Sequence, residues 1–348
     1  TSGNASSALA APMGNYGDIE NKGWEISLNT HPLVGAFEWD SDFQISFNRN
    51  KLRALDGTAN AQIVGYGQWS DVVSVTNVGE SLYNFYGYVC DGVYEDLEDL
   101  QTSAKPVKYP ANGVFNRTNT VWVGDIKYKD LNGDGVIDEN DRTNIGSPLP
   151  KFTFGWTNTF RYKNFDLSLF INGSYGNKVY NYLGMKLTHM NSPWSNQLSS
   201  VLDRAQIVPI DPNKDYAAGV VVNGVTVYNW YDDITNVRVV NAGTTVPRAS
   251  IQDPNDNDRI SDRYVEDGSY IRLKNITLGY TFPGKMIKKW GLDNLRIYAN
   301  IQNLLTITGY DGYDPEIGAS TASANVYGLD NGRYPSPTVY SFGLNVSF

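Results

Sequence analysis

Residues Thr338 to Phe348, TVYSFGLNVSF, carry a bulky apolar side chain at every second position (Tyr340, Phe342, Leu344, Val346, Phe348), with Ser341, Gly343, Asn345 and Ser347 between them. A period of two puts all five on one face of an extended chain. A strand of about 10 residues, greasy on one side and ending on an aromatic, is what a transmembrane β-barrel needs to cross a bilayer and close. Six earlier segments share the design. Trp24, Ile26 and Leu28 alternate with Glu25, Ser27 and Asn29, and Phe37, Trp39, Phe43, Ile45 and Phe47 with Glu38, Asp40, Asp42, Gln44 and Ser46. Phe152, Phe154, Trp156 and Phe160 face away from Thr153, Gly155, Thr157 and Thr159, and Phe165, Leu167, Leu169 and Ile171 from Asp166, Ser168 and Asn172. Ile276, Leu278, Tyr280 and Phe282, then Leu295, Ile297, Ala299 and Ile301, complete the set.

The pattern places strands near 22–30, 37–48, 151–161, 164–176, 268–282, 293–305 and 338–348. Their connections are short after the first, third and fifth, whereas 49–150, 177–267 and 306–337 far exceed the usual ~4–6 residues. Strict alternation of tight turns and long loops is the arrangement of outer-membrane barrels, with turns at the periplasm and long loops outside the cell. Seven strands cannot close such a barrel: bacterial barrels are even-stranded from about eight upward, and an open sheet leaves bare edges in lipid. The chain is therefore expected to be the C-terminal part of a larger transmembrane antiparallel β-barrel. The small, loop-like residues 1–15 also read as the start of a piece of something longer. A soluble sandwich with its apolar faces meeting in a core is the alternative, and loops of this length on one side fit it poorly. Ala61–Gly67 and Leu82–Val89 also look extended; both read as structure inside the first long loop.

Composition removes several function classes. No run of 20 apolar residues exists and mean hydropathy is -0.39, which excludes a helical span but not a barrel, whose strands are half polar. A net charge of -9 argues against nucleic acid. One cysteine, Cys90, and two histidines, His31 and His189, leave little for thiolate, zinc or imidazole chemistry. No nucleophile elbow, zinc helix or phosphate loop occurs, and the paired carboxylates Glu95/Asp96 and Glu98/Asp99 read as a solvated face, so no enzyme is expected. The stretch DPNDNDR from Asp253 reads as loop.

Residues 130–141, DLNGDGVIDEND, put oxygen donors at loop positions 1 (Asp130), 3 (Asn132), 5 (Asp134), 9 (Asp138) and 12 (Asp141), with Gly135 at the sharp turn and the Val136 carbonyl at position 7. This is the spacing of an EF-hand calcium loop, although Asp replaces the usual bidentate Glu at position 12 and no helical pattern flanks it. The expectation is a structural metal site, Ca2+ first and Mg2+ second, pinning a long loop; the plain alternative is an Asx-rich surface turn. Aromatic and acidic residues in the long loops (Trp194, Trp230, Tyr231, Tyr310, Asp311 and Tyr313) are candidate substrate contacts, since ring planes stack on sugars and carboxylates accept from hydroxyls. Packing of the loops on one another is the competing reading.

GDIKYKDLNGDGVIDENDRTNIGSPLPKFTFGWTNTFRYKNFDLSLFINGSYG from Gly124, VEDGSYIRLKNITLGYTFP from Val265, LRIYANIQNLLTITGYDGYDPEIG from Leu295 and the terminal YPSPTVYSFGLNVSF together resemble the C-terminal region of SusC/RagA-like TonB-dependent outer-membrane transporters. NFYGYVCDGVYED from Asn84 and NKGWEISLN from Asn21 resemble two further blocks of that family. The resemblance implies a barrel of about 22 strands around a plug, coupled to TonB across the periplasm. It also implies a SusD-like surface lipoprotein as partner and import of oligosaccharides or peptides. The N-terminal strands, the plug and the TonB-contacting segment have no counterpart in these residues. A passive channel sharing the strands but lacking a plug, and a secreted sandwich with a calcium-stabilised loop, are the other readings.

Overall fold

The computed structural model describes residues 17–55, 61–68, 70–106, 109–318 and 325–348. Seven strands form one sheet: β1 (Gly17–Leu33), β2 (Phe37–Leu55), β3 (Phe152–Tyr162), β4 (Phe165–Tyr175), β5 (Tyr270–Thr281), β6 (Asn294–Thr308) and β7 (Val339–Ser347). Each pairs antiparallel with the next in sequence, so the sheet is an up-and-down meander. The seven-stranded partial barrel expected from the alternation is the observed fold. The first hairpin runs well beyond its alternating segment, because β1 and β2 stay paired from Gly17↔Leu55 down to Leu33↔Trp39, with register shifts after Asp18 and after Thr30, past the point where Asn, Lys and Arg replace apolar residues.

The two faces separate as the period of two requires. Cross-strand rows such as Phe43, Trp156 and Ile171, or Leu167, Leu278 and Ala299, lie on one face; rows such as Ser168, Thr277 and Asn300 lie on the other. Among the described residues no second sheet covers the apolar face: Trp24 is 79% exposed and Phe342 85%. The two apolar cores among the described residues belong instead to the long loops, which excludes the sandwich. With β1 and β7 each paired on one side only, the sheet is an arc awaiting further strands.

Among the outward positions that break the apolar pattern are Ser41 and Asn158, which face each other across β2 and β3. The indole of Trp39 donates to Asn158 Oδ1 (2.9 Å) and that of Trp156 to Ser41 Oγ (2.9 Å), so each polar group is satisfied by a flanking ring. On the polar face, Arg296 makes a two-toothed contact with Asp166 across β5 (3.0 and 2.5 Å). The pair lies over Gly279, where a Cβ would come within 2.4 Å of both side chains and push them apart.

Candidate functional site

The connections on one side of the sheet are 34–36, 163–164 and 282–293, and on the other 56–151, 176–269 and 309–338. The long connections fold into a common cap. Gln62–Tyr66, Val72–Asn77, Phe85–Gly87 and Thr143–Gly146 form a four-stranded sheet within the first of them. One apolar cluster joins the first two loops through Tyr94, Trp122, Ile126, Ile137, Ile234 and Val237. A second cluster joins all three, with Phe85, Tyr180, Tyr182, Tyr264, Val326 and Leu329. Of the run expected to be a solvated face, Glu95 and Glu98 are exposed, while Asp96 and Asp99 are half-buried and take part in this packing. Asp96 caps the helix Leu97–Thr102 by accepting from the Asp99 amide, Leu100 is fully buried, and Asp99 pairs with Lys127 at 2.9 Å.

The segment DPNDNDR is loop, as the sequence reading has it, but it is not a surface loop. Asp253, Asn255 and Asn257 are buried at the centre of a polar network. The Asn257 amide group donates to Asp125 Oδ1 (3.2 Å) and Asp253 Oδ1 (2.5 Å), and its carbonyl accepts from the Ile126 amide (2.7 Å). Asp125 is closed from the other side by Arg248, at 2.7 Å. Burial pushes the Asp125 carboxyl up, against the attraction and hydrogen bonds of Arg248. The same segment holds His189 between two carboxylates, Asp253 at 2.9 Å and Asp258 at 3.1 Å.

These three residues are the group, among those described, whose carboxylate and imidazole ligand atoms lie close enough to suggest a metal. Both ring nitrogens face carboxylate oxygens at hydrogen-bond distance, and that is the geometry of an imidazolium clamped by two anions. Burial disfavours the charge, but the hydrogen bonds of Asp253 and Asp258 outweigh it and raise His189 to about 9. Asp258 is opposed by burial and lowered, through His189 and Lys186, to about 2. His189 thus stabilises the cap fully below its free value of 6.5 and loses that contribution as pH rises through about 9; Asp258 contributes above 3.8 and loses it as pH falls toward about 2. Hydrogen exchange of the amides at 253–258 in the intact protein is expected to quicken between pH 7 and 9.5 relative to the rest of the cap, and His189→Gln to remove that excess. A pH response unchanged by the substitution would contradict the assignment.

At the junction of cap and sheet, the polar face of β5 and β6 grips the third long loop. Arg272 donates to Thr306 Oγ1 (2.8 Å), Asp314 Oδ1 (2.5 Å) and Glu316 Oε2 (2.8 Å), and Lys274 joins Glu316 at 2.8 Å. Burial works to raise Asp314, but the amides of Glu316 and Ser336 and the Arg272 guanidinium bring it down to about 2. Beside this anchor, Pro148, Pro150, Tyr270, Pro315, Tyr327 and Arg333 line a cavity of about 330 Å³.

The acidic loop 130–141 closes on itself. Asp130 accepts from the Gly133 and Gly135 amides (2.6 and 2.8 Å), Asp134 from the Val136 amide (2.8 Å), and Asp141, fully buried, from the Leu131 and Asp138 amides (both 2.8 Å). Asn132 accepts from the Asp134 amide and donates to its carboxylate (3.0 and 2.8 Å). Asp138 caps the turn Glu139–Asp141. Backbone bonds to Asp130 lower its pKa, the Gly135 amide foremost. The donors are oxygens, as a hard cation requires. The candidate substrate contacts divide. Trp194 is 94% exposed and Tyr313 and Asp311 are exposed; Trp230 packs against the first core with Tyr231 edge-on at 5.7 Å, and Arg117 lies 5.1 Å from the Tyr231 ring. Tyr310 is withdrawn from any ligand, being 5% exposed with its hydroxyl donated to Asp330 at 2.6 Å; it packs the loop.

A one-sided apolar arc of antiparallel strands, polar within and carrying a folded cap on one rim, defines a segment of a membrane β-barrel. No family model matches the chain. Curated proteins similar to it are TonB-dependent receptor P3 of Formosa agariphila, 33% identical over 98% of this chain, and TonB-dependent receptor SusC of Bacteroides thetaiotaomicron, 26% identical over 96%. Among solved structures it is similar to the RagAB peptide transporter, with a TM-score of 0.64 and 18% identity over 96% of the chain. The chain spans about 30% of the length of the curated relatives it matches. It resembles, over nearly all its length, SusC/RagA-like TonB-dependent transporters, and its fold is a partial barrel of that type.

Proposed function

We propose that this chain supplies barrel wall and outer loops to a SusC-like, TonB-dependent importer of the bacterial outer membrane. The short turns face the periplasm and the cap faces outward. The observation that carries the reading is the coupling of a lipid-ready apolar arc to a cap folded on the long-connection rim alone. N-terminal strands and a plug encoded outside these residues complete the barrel, TonB energises it, and a SusD-like lipoprotein meets the cap. Oligosaccharides and peptides are both compatible with the exposed Trp194, Tyr231, Asp311 and Tyr313, which present ring faces and a carboxylate. Growth of a strain carrying the full-length gene on a panel of glycans or peptides as sole nutrient tests it: growth on one class, lost on deleting the gene or disabling TonB, is expected. Uptake that persists without TonB would favour the passive channel.

The loop 130–141 is proposed as a structural Ca2+ site, with Mg2+ second, through Asp130, Asn132, Asp134, the Val136 carbonyl, Asp138 and Asp141. Its support is the donor spacing together with the closed loop described above. Chelation of the intact protein is expected to lower cap stability by at least about 1.4 kcal/mol at calcium tenfold above its dissociation constant, read as faster proteolysis within 124–151. Asp130→Ala should make the protein insensitive to calcium; equal protection with and without the ion would end the proposal.

A further inference from the structure

We propose that the turn joining β5 to β6, with the adjoining β3–β4 turn, binds the headgroups of anionic phospholipids; the inference rests on the apolar face meeting lipid. The turn reads PGKMIKKWGL over 283–292 and is folded as the helical turns Gly284–Ile287 and Lys288–Trp290. Ile287 is its buried anchor, which leaves Lys285, Met286, Lys288, Lys289 and Trp290 exposed. Among the described residues none of the three lysines has a carboxylate within ion-pair distance, and no Asp or Glu occurs between Tyr280 and Leu292. The neighbouring turn is in contact through Asn164, which donates to the Thr281 carbonyl at 2.6 Å, and it brings the exposed Lys163 to the same rim.

The placement, more than the charge, names the partner. Directly above the turn the apolar face ends in a ring of aromatics: Phe165 stands 4.7 Å from Tyr280, and Tyr280 5.1 Å from Phe282. Aromatic rings of this kind settle at the headgroup level, and lysine stems lying along them deliver ammonium groups to the phosphates. A turn surrounded only by water would gain nothing from an exposed Trp290 and Met286 beside its lysines, whereas at an interface both kinds of group are satisfied. The surface is continuous with the lipid-facing wall and complementary in sign to an anionic headgroup. Each lysine near a charged membrane contributes about fivefold to the preference.

The test uses the full-length transporter in discs of phosphatidylcholine doped with phosphatidylglycerol, with retained lipids counted by native mass spectrometry. Phosphatidylglycerol is expected to be retained over phosphatidylcholine by at least about tenfold. Lys163→Gln, Lys285→Gln, Lys288→Gln and Lys289→Gln combined should reduce the preference at least about fivefold, and the same positions as Arg should keep it. Retention in the bulk ratio, or a Gln variant that retains as the parent does, overturns the inference. A protein that enters the discs without preference refutes this site alone; one that never enters them refutes the barrel reading as well.

Discussion

Arginine in place of Ile276 lowers the stability of the full-length transporter in a bilayer by about 2–4 kcal/mol, whereas the same change at Ile271 costs about 0–1 kcal/mol. Both residues lie on the apolar face of β5. Ile276 sits midway along the strand between Leu169 and Ile301, while Ile271 stands near the cap between Gly173 and Ile307. The gradient is the signature of a bilayer: a guanidinium at the midplane must thin the membrane or drag water to it, and one at the edge snorkels to the headgroups. Reversible unfolding from liposomes, read by the slowed migration of the unfolded protein on gels, measures it. Arginine at Ser168, on the polar face of β4, should fall below both. Equal costs at Ile276 and Ile271 would mean that protein and not lipid covers that face.

The wall was readable from the chain because the period of two is local: each strand announces its faces without reference to its partners. Its irregularities were not. Ser41 and Asn158 are unremarkable residues in the sequence, and their significance appears only once β2 and β3 are in register and the Trp39 and Trp156 indoles reach across. In the cap, the extended runs 61–67 and 82–89 were legible and hold the strands Gln62–Tyr66 and Phe85–Gly87, but the pairing was opaque for a related reason. The cap's strands are two to six residues long, too short to show a period, and Phe85–Gly87 finds its partner at Thr143–Gly146. His189 and Asn257 reach groups 64 and 132 positions away, so neither could be told from a surface residue by its neighbours. One signal was present: Asp and Asn crowded around Pro254, with Asp253 and Asp256 in left-handed backbone (φ 39° and 52°), mark turns whose side chains bond inward. The acidic loop and the aromatic residues were visible individually, but burial separates Tyr310, a packing residue, from Tyr313, which is exposed.

The cap's dependence on that hidden network sets the second large effect. Asp125→Leu removes one member of a pair in which Asp125 is 0% exposed and Arg248 5%, and it strands a guanidinium in the interior at a cost of about 3–5 kcal/mol. The loss should fall on the cap and spare the wall, because Asp125 also receives the Trp122 amide (2.8 Å) and Asn257, tying the first long loop to the second. Hydrogen exchange in the intact protein should show segments 121–128 and 248–260 opening together while β3 to β6 stay protected. The double variant Asp125→Leu, Arg248→Met separates charge from shape. With no ion left to bury, it should recover most of the stability, as apolar replacements of buried pairs do. If the double variant is as unstable as the single one, the hydrogen bonds from Trp122 and Asn257, and not the ion pair, hold the two loops together. The joint would then be a polar hinge, and loop geometry at the mouth of the barrel would depend on Asn257 more than on Arg248.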